Sequence, residues 1–284
     1  MHTSRLIVSG CLGAILGLLT GPALADGSGC NSLPSWAALK NALTQSITPA
    51  SAANGNGGLG FNMWGTIVAT DGTVCAVAFS GTAYTSQWLG SRVIAAQKAS
   101  TGNDFSLGNG STPSMSGFPT GLALSTANLY SAVQPGGSLY GLQHSNPVDT
   151  EVAYGNSQGG QGYPPIDAGT FGTPQDPMVG QRVGGVNVFG GGLGLYFKGI
   201  RVGGVGVSGD TSCTDHMVAW RVRNLLGLDQ LGTVAGVSGD AQRPDNIVFD
   251  ITPNPYGGTG ISKGGFGHPQ CLNNPNPSNL PPVH

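Results

Sequence analysis

Charge is scarce in this chain: 11 Lys and Arg stand against 13 Asp and Glu, and all four together make only 8% of the residues. Nucleic acids and anionic membranes are recognised by clustered Lys and Arg, so the sequence excludes both as partners. Histidine is rare as well, at 5 residues, and there is no HExxH, no His-x-His and no closely spaced acidic pair. Metallohydrolase chemistry is left without support. No CxxC pair occurs, which argues against a structural zinc site, and without CxxCH there is no covalent haem attachment. Beyond the N-terminus no apolar run approaches the ~20 residues of a membrane span, so no transmembrane anchor is expected.

What is present begins with an export signal. Arg5 precedes an apolar run over residues 6–20, then Gly21-Pro22 and the small-residue terminus Ala23-Leu24-Ala25. That order is read by signal peptidase, and residues 1–25 are expected to be a signal peptide cut before Asp26, placing the mature chain in the periplasm or outside the cell. Val8-Ser9-Gly10-Cys11 has the look of a lipoprotein cleavage box, but few apolar residues precede it. The 50 glycines and 19 prolines point to long loops, while 39% hydrophobic residues in well-separated segments support a folded core. After cleavage Cys30, Cys75, Cys213 and Cys271 remain. An even count in an exported chain argues for disulfides, with three connectivities open.

Apolar spacing organises the rest. Trp36, Leu39, Leu43 and Ile47 form one helical stripe that Ser32 could cap and that ends near Pro49. Residues 63–68 and 73–79 read as a hairpin around Asp71-Gly72. A helix is predicted over 86–98, with Trp88, Val93, Ile94 and Ala95 toward the sheet, and a shorter one over 126–133. Residues 145–185 carry few periodic apolar positions and read as a long loop excursion. Strands are expected at 186–189, 193–197, 200–207 and 246–251, with Lys198-Gly199 as a turn. The last core helix is predicted over 216–226, capped by Thr214 or Asp215, burying Val218, Val222, Leu225 and Leu226 and turning Arg221 and Arg223 outward. The order predicts one α/β domain over 26–271, with a central antiparallel sheet flanked by helices and Gly/Pro-rich loops, followed by a flexible tail over 272–284.

Several blocks occur in an order that resembles the GlcG/HbpS family of haem-binding proteins: Val68-x-x-Asp71-Gly72, then residues 94–99 (IAAQKA) with Thr101 and Phe105, then Gly190-Gly191-Gly192 and Gly203-x-x-Gly206-Val207-Ser208-Gly209. The continuation through Cys213, Asp215, His216 and Gly267-His268-Pro269-x-Cys271 resembles its exported branch. The resemblance implies a compact α/β/α domain, oligomers in several members and non-covalent haem binding in some. In that reading His216, at a helix start beside glycines, is the expected iron ligand, Lys98 contacts a propionate, and His268 joins the site if Cys213 is bridged to Cys271. Phe79, Phe105 and Trp220 are available to line an apolar pocket.

Two motif matches are set aside. Gly204-x-Gly206-x-x-Gly209 lacks the βαβ context of a dinucleotide site, and Gly260-x-Ser262-x-Gly264 lacks the strand and helix of a nucleophile elbow. Because Cys213 opens the last helix and Cys271 lies in a tail that must be tied back, Cys213–Cys271 and Cys30–Cys75 are the expected bridges. Three function classes follow: haem storage, scavenging or sensing; a cofactor-free accessory domain that binds a partner protein or a second copy of itself; and an enzyme, for which no catalytic constellation is recognisable.

Overall fold

The computed structural model describes residues 27–47, 55–113, 116–155, 166–258 and 260–284. The signal segment and Cys11 lie outside the described residues, as do Pro49 and part of the 145–185 excursion.

The elements, in chain order, are α1 (Trp36–Ser46), β1 (Trp64–Ala69), β2 (Val74–Phe79), α2 (Gly90–Asp104), β3 (Leu122–Ala123), α3 (Leu129–Ala132), α4 (Thr150–Tyr154), β4 (Gly192–Phe197), β5 (Ile200–Ser208), α5 (Ser212–Leu225), β6 (Ala235–Gly236), β7 (Ile251–Thr252) and β8 (Ile261–Ser262). β1, β2, β4 and β5 form the central sheet in the order β2-β1-β5-β4, with every neighbouring pair antiparallel. α1 and α5 cover one face, where Leu39, Leu43, Val218 and Trp220 meet Ile67, Ala76, Val205 and Val207. α2 covers the other, with Val93, Ala95 and Ala99 among Trp64, Val68, Val77 and Phe79. The result is the expected α/β/α arrangement. Covering both faces also explains why β1 is buried at every position and shows no polar alternation.

The glycines of β5 set how closely α2 can approach. A Cβ on Gly206 would stand 2.0 Å from the Ala95 carbonyl oxygen, and one on Gly204 2.2 Å from that of Ala99. The Gly-x-Gly run therefore lets helix backbone lie on strand backbone, and the turn into α5 is made by Gly209.

Several expectations are corrected. Ser35, not Ser32, caps α1 by accepting from the Ala38 N–H. α2 starts at Gly90, and Trp88 is 55% exposed ahead of it instead of packing on the sheet. Residues 186–189 and 246–250 run without strand pairing, because they bond to α2 and α5 side chains in place of a sheet edge. α5 starts four residues earlier than predicted, at Ser212, with Thr211 as its cap. Arg223 is fully buried: Asp245 receives its guanidinium through two bonds of 2.6 and 2.9 Å, which makes an inward Arg affordable, whereas Leu225 is 51% exposed. The tail expected to be flexible is docked. Leu280 is buried, Pro281 accepts from the Trp220 indole at 3.0 Å, and Leu280 accepts from Arg243 at 2.7 Å.

Candidate functional site

The start of α5 gathers the polar groups that the sequence singled out. The helix is placed there by the Thr211 cap, whose hydroxyl accepts from the Thr214 N–H, and by Asp215, which accepts from the N–H groups of Gly209 and Asp210 at 3.1 and 2.9 Å. The Lys98 ammonium, arriving from α2, sits 2.7 Å from Asp215 and 3.2 Å from the Val207 carbonyl. Burial lowers the pKa of Lys98 and pushes Asp215 up to about 6, against the pull of each on the other. Neither is exposed, so Lys98 closes an interior ion pair and is not free to meet a propionate.

His216 is also enclosed. Its Nε2 lies 3.1 Å from the Asn246 amide oxygen and 3.1 Å from the Ile247 nitrogen, while Nδ1 has no partner among the described residues. Burial brings its pKa down to about 4. The Trp220 ring centroid is 6.0 Å away, and a Cβ on Gly190 would already stand 3.0 Å from the His216 Cβ. The glycines expected to leave room for a macrocycle instead let the 190–192 loop lie directly on α5, where a Cβ on Gly190 would stand 2.3 Å from the Ser212 carbonyl oxygen. Haem does not fit at His216 and Lys98 in this conformation. Nor do the expected aromatics share a pocket, since Phe79 and Trp220 belong to cores on opposite faces of the sheet.

The two disulfides are Cys30–Cys75 and Cys213–Cys271. The second holds the 268–271 segment against the start of α5 and brings His268 to Ser212, with the Ser212 Oγ 2.7 Å from His268 Nε2. His268 Nδ1 lies 2.7 Å from the Pro269 carbonyl, an acceptor only, so Nδ1 carries the proton and Nε2 accepts from the serine. The Gly190 N–H donates to the same Oγ at 2.7 Å. Burial lowers His268 to about 4, with the Pro269 bond acting in the opposite direction. Cys213, His268 and Cys271 are close enough for a three-ligand metal set, but both sulfurs are spent in the bridge. Sequence reasoning missed Ser212 because nothing in its immediate neighbours marks it; its partner is 56 residues away.

No family model and no curated protein matches the chain. Solved structures similar over part of it include these two. One is the Klebsiella pneumoniae protein ORFY, described as DUF336, at 21% identity and TM-score 0.38, covering 68% of this chain and 90% of that one. The other is PduOC in complex with haem, again at 21% identity and TM-score 0.38, covering 68% of this chain and 94% of that one. The fold assignment rests on the sheet order and layering of this chain itself.

On the surface, a cleft of about 620 Å³ lies between residues 134–138 and 260–266 and touches none of Lys98, His216 or His268. A different feature stands out nearer the start of α5. Leu59, Phe61, Trp88 and Leu89 are 44, 40, 55 and 53% exposed, and the Phe61 and Trp88 rings meet edge to face at 5.4 Å. The ledge is rigid at its base: Asp210 accepts from the Leu59 and Phe61 N–H groups, and Gln87 donates to the Gly209 carbonyl at 2.8 Å.

Proposed function

We propose that this protein is an exported, disulfide-braced binding domain that takes a flat apolar ligand, haem in the first instance, without covalent attachment, on the ledge of Leu59, Phe61, Trp88 and Leu89. The single observation that carries this reading is that ledge: four large apolar side chains exposed on two segments that hydrogen bonds to Asp210 and Gly209 tie to the start of α5, with Phe61 and Trp88 in ring contact. A porphyrin face is matched by an aromatic edge and apolar area, and the resemblance of the sequence blocks to haem-binding proteins favours haem over other flat ligands. Export is favoured by residues 1–25 and by two disulfides, which persist in oxidising compartments. Mass spectrometry of the exported chain is expected to give an N-terminus at Asp26; acylated Cys11 would refute the cut.

The test of ligand binding is a haemin titration of the mature chain followed in the Soret region. Saturable one-to-one binding at micromolar haemin is expected, weakened about tenfold or more, ~1.4 kcal/mol, by Trp88→Ala and unchanged by His216→Ala. A loss in His216→Ala with Trp88→Ala unaffected would move the ligand to the interior. One observation favours a second reading, a partner protein docked on the same ledge: none of its four residues can ligate iron. Failure of the wild-type chain to bind haemin would leave that reading in place.

A further inference from the structure

The pair at the start of α5 has no use in ligand binding on the ledge. We propose that Ser212 is a nucleophile activated by His268, and that it reacts with short-chain carboxylic esters.

Three features build the pair. The ring of His268 is fixed in one tautomer by the Pro269 carbonyl, and its unprotonated Nε2 faces the serine oxygen at 2.7 Å, within reach of the hydroxyl proton. The Cys213–Cys271 bridge locks the residue after Ser212 to a residue three beyond His268, so the spacing of the pair does not depend on side-chain packing alone. Ser131 adds a second brace, with its N–H and hydroxyl both donating to the Gly267 carbonyl, at 3.2 and 2.7 Å. The serine itself is half-buried while His268 is 3% exposed, so of the two the serine is the one that a substrate, and later a water, meets first.

The surroundings favour negative charge on oxygen. Ser212 opens a helix of 14 residues, whose dipole has its positive end there, and the Gly190 N–H already donates to Oγ. Beside Gly190, the ring of Phe189 is 49% exposed and offers an apolar rest for a small acyl group. In the reaction the Oγ–H proton moves to His268 Nε2 as the Oγ–carbonyl carbon bond forms. The bond from that carbon to the leaving oxygen then breaks, and Nε2 returns the proton to the leaving oxygen. A water attacks the acyl-serine by the same route and releases the carboxylic acid.

The experiment uses the mature, oxidised chain with a fluorophosphonate probe and with p-nitrophenyl acetate. Peptide mapping should place the probe on Ser212, and nitrophenol should appear in a burst of about one per chain. Ser212→Ala should abolish both, and His268→Asn should slow both at least tenfold while thermal melting shows that each variant is folded. Reduction of Cys213–Cys271 should slow labelling as well. Absence of labelling in the folded wild-type chain, or equal labelling in Ser212→Ala or His268→Asn, would overturn the proposal. Neither outcome depends on whether haemin binds.

Discussion

Replacing Lys98 by Met tests the interior of this domain most directly, because it removes the cation from a fully enclosed ion pair and leaves the carboxylate behind. The lost partner is the Asp215 oxygen 2.7 Å away. Breaking a buried pair by deleting one member costs about 3–5 kcal/mol. Asp215 keeps its bonds from the Gly209 and Asp210 N–H groups, at 3.1 and 2.9 Å, so the lower end, about 3 kcal/mol, is expected. Asp215→Ala should be worse. It strands the ammonium and also orphans both N–H groups at about 1–3 kcal/mol each, for a total above ~5 kcal/mol.

Urea unfolding, with midpoints compared at fixed slope, measures both variants. The pH dependence gives a second check. Burial raises the folded-state pKa of Asp215 from 3.8 to about 6, and Lys98 opposes that rise. Without Lys98 the value goes higher still, so the native carboxyl binds a proton that the unfolded chain has released. The penalty of Lys98→Met must therefore shrink as pH falls from about 8 to about 5, by ~1.4 kcal/mol for each unit of further rise. A cost below ~1 kcal/mol at pH 8, or a penalty that grows on acidification, would refute the reasoning.

Removing the Cys213–Cys271 bridge as a double Ser variant opens a loop of 58 residues and should lower stability by about 4 kcal/mol, read from the urea midpoint under oxidising conditions. Gly206→Ala places a Cβ 2.0 Å from the Ala95 carbonyl oxygen and should cost ~3 kcal/mol or more; a neutral result would mean that α2 does not rest on β5 as described. His216 and His268 are both held near a pKa of about 4 by burial, so the unfolded chain takes up protons first on acidification. Stability should then fall as pH drops from about 6.5 to about 4, and His268→Asn should flatten that slope in pH-jump urea titrations.

The sequence by itself determined the sheet and its two main layers. The hairpin around Asp71-Gly72, the strands on either side of Lys198-Gly199 and the apolar stripe of α1 are local signals, each set by period and turn chemistry within a few residues. It also limited the chemistry, through scarce charge, few histidines and an even cysteine count. What the letters did not carry were the long-range partners. Lys98 and Arg223 look like solvated residues because nothing nearby in the chain opposes them; Asp215 and Asp245 reach them only across the fold. His216 looks available beside glycines, but those glycines serve close backbone packing and seal the ring in. The tail over 272–284, with its Pro and Asn content, reads as loose, and only the docking of Leu280 and Pro281 against α5 shows otherwise. Ser212 and His268 meet because the folded core and the Cys213–Cys271 bridge close the loop between them, an arrangement fixed by tertiary contacts and not by any local motif.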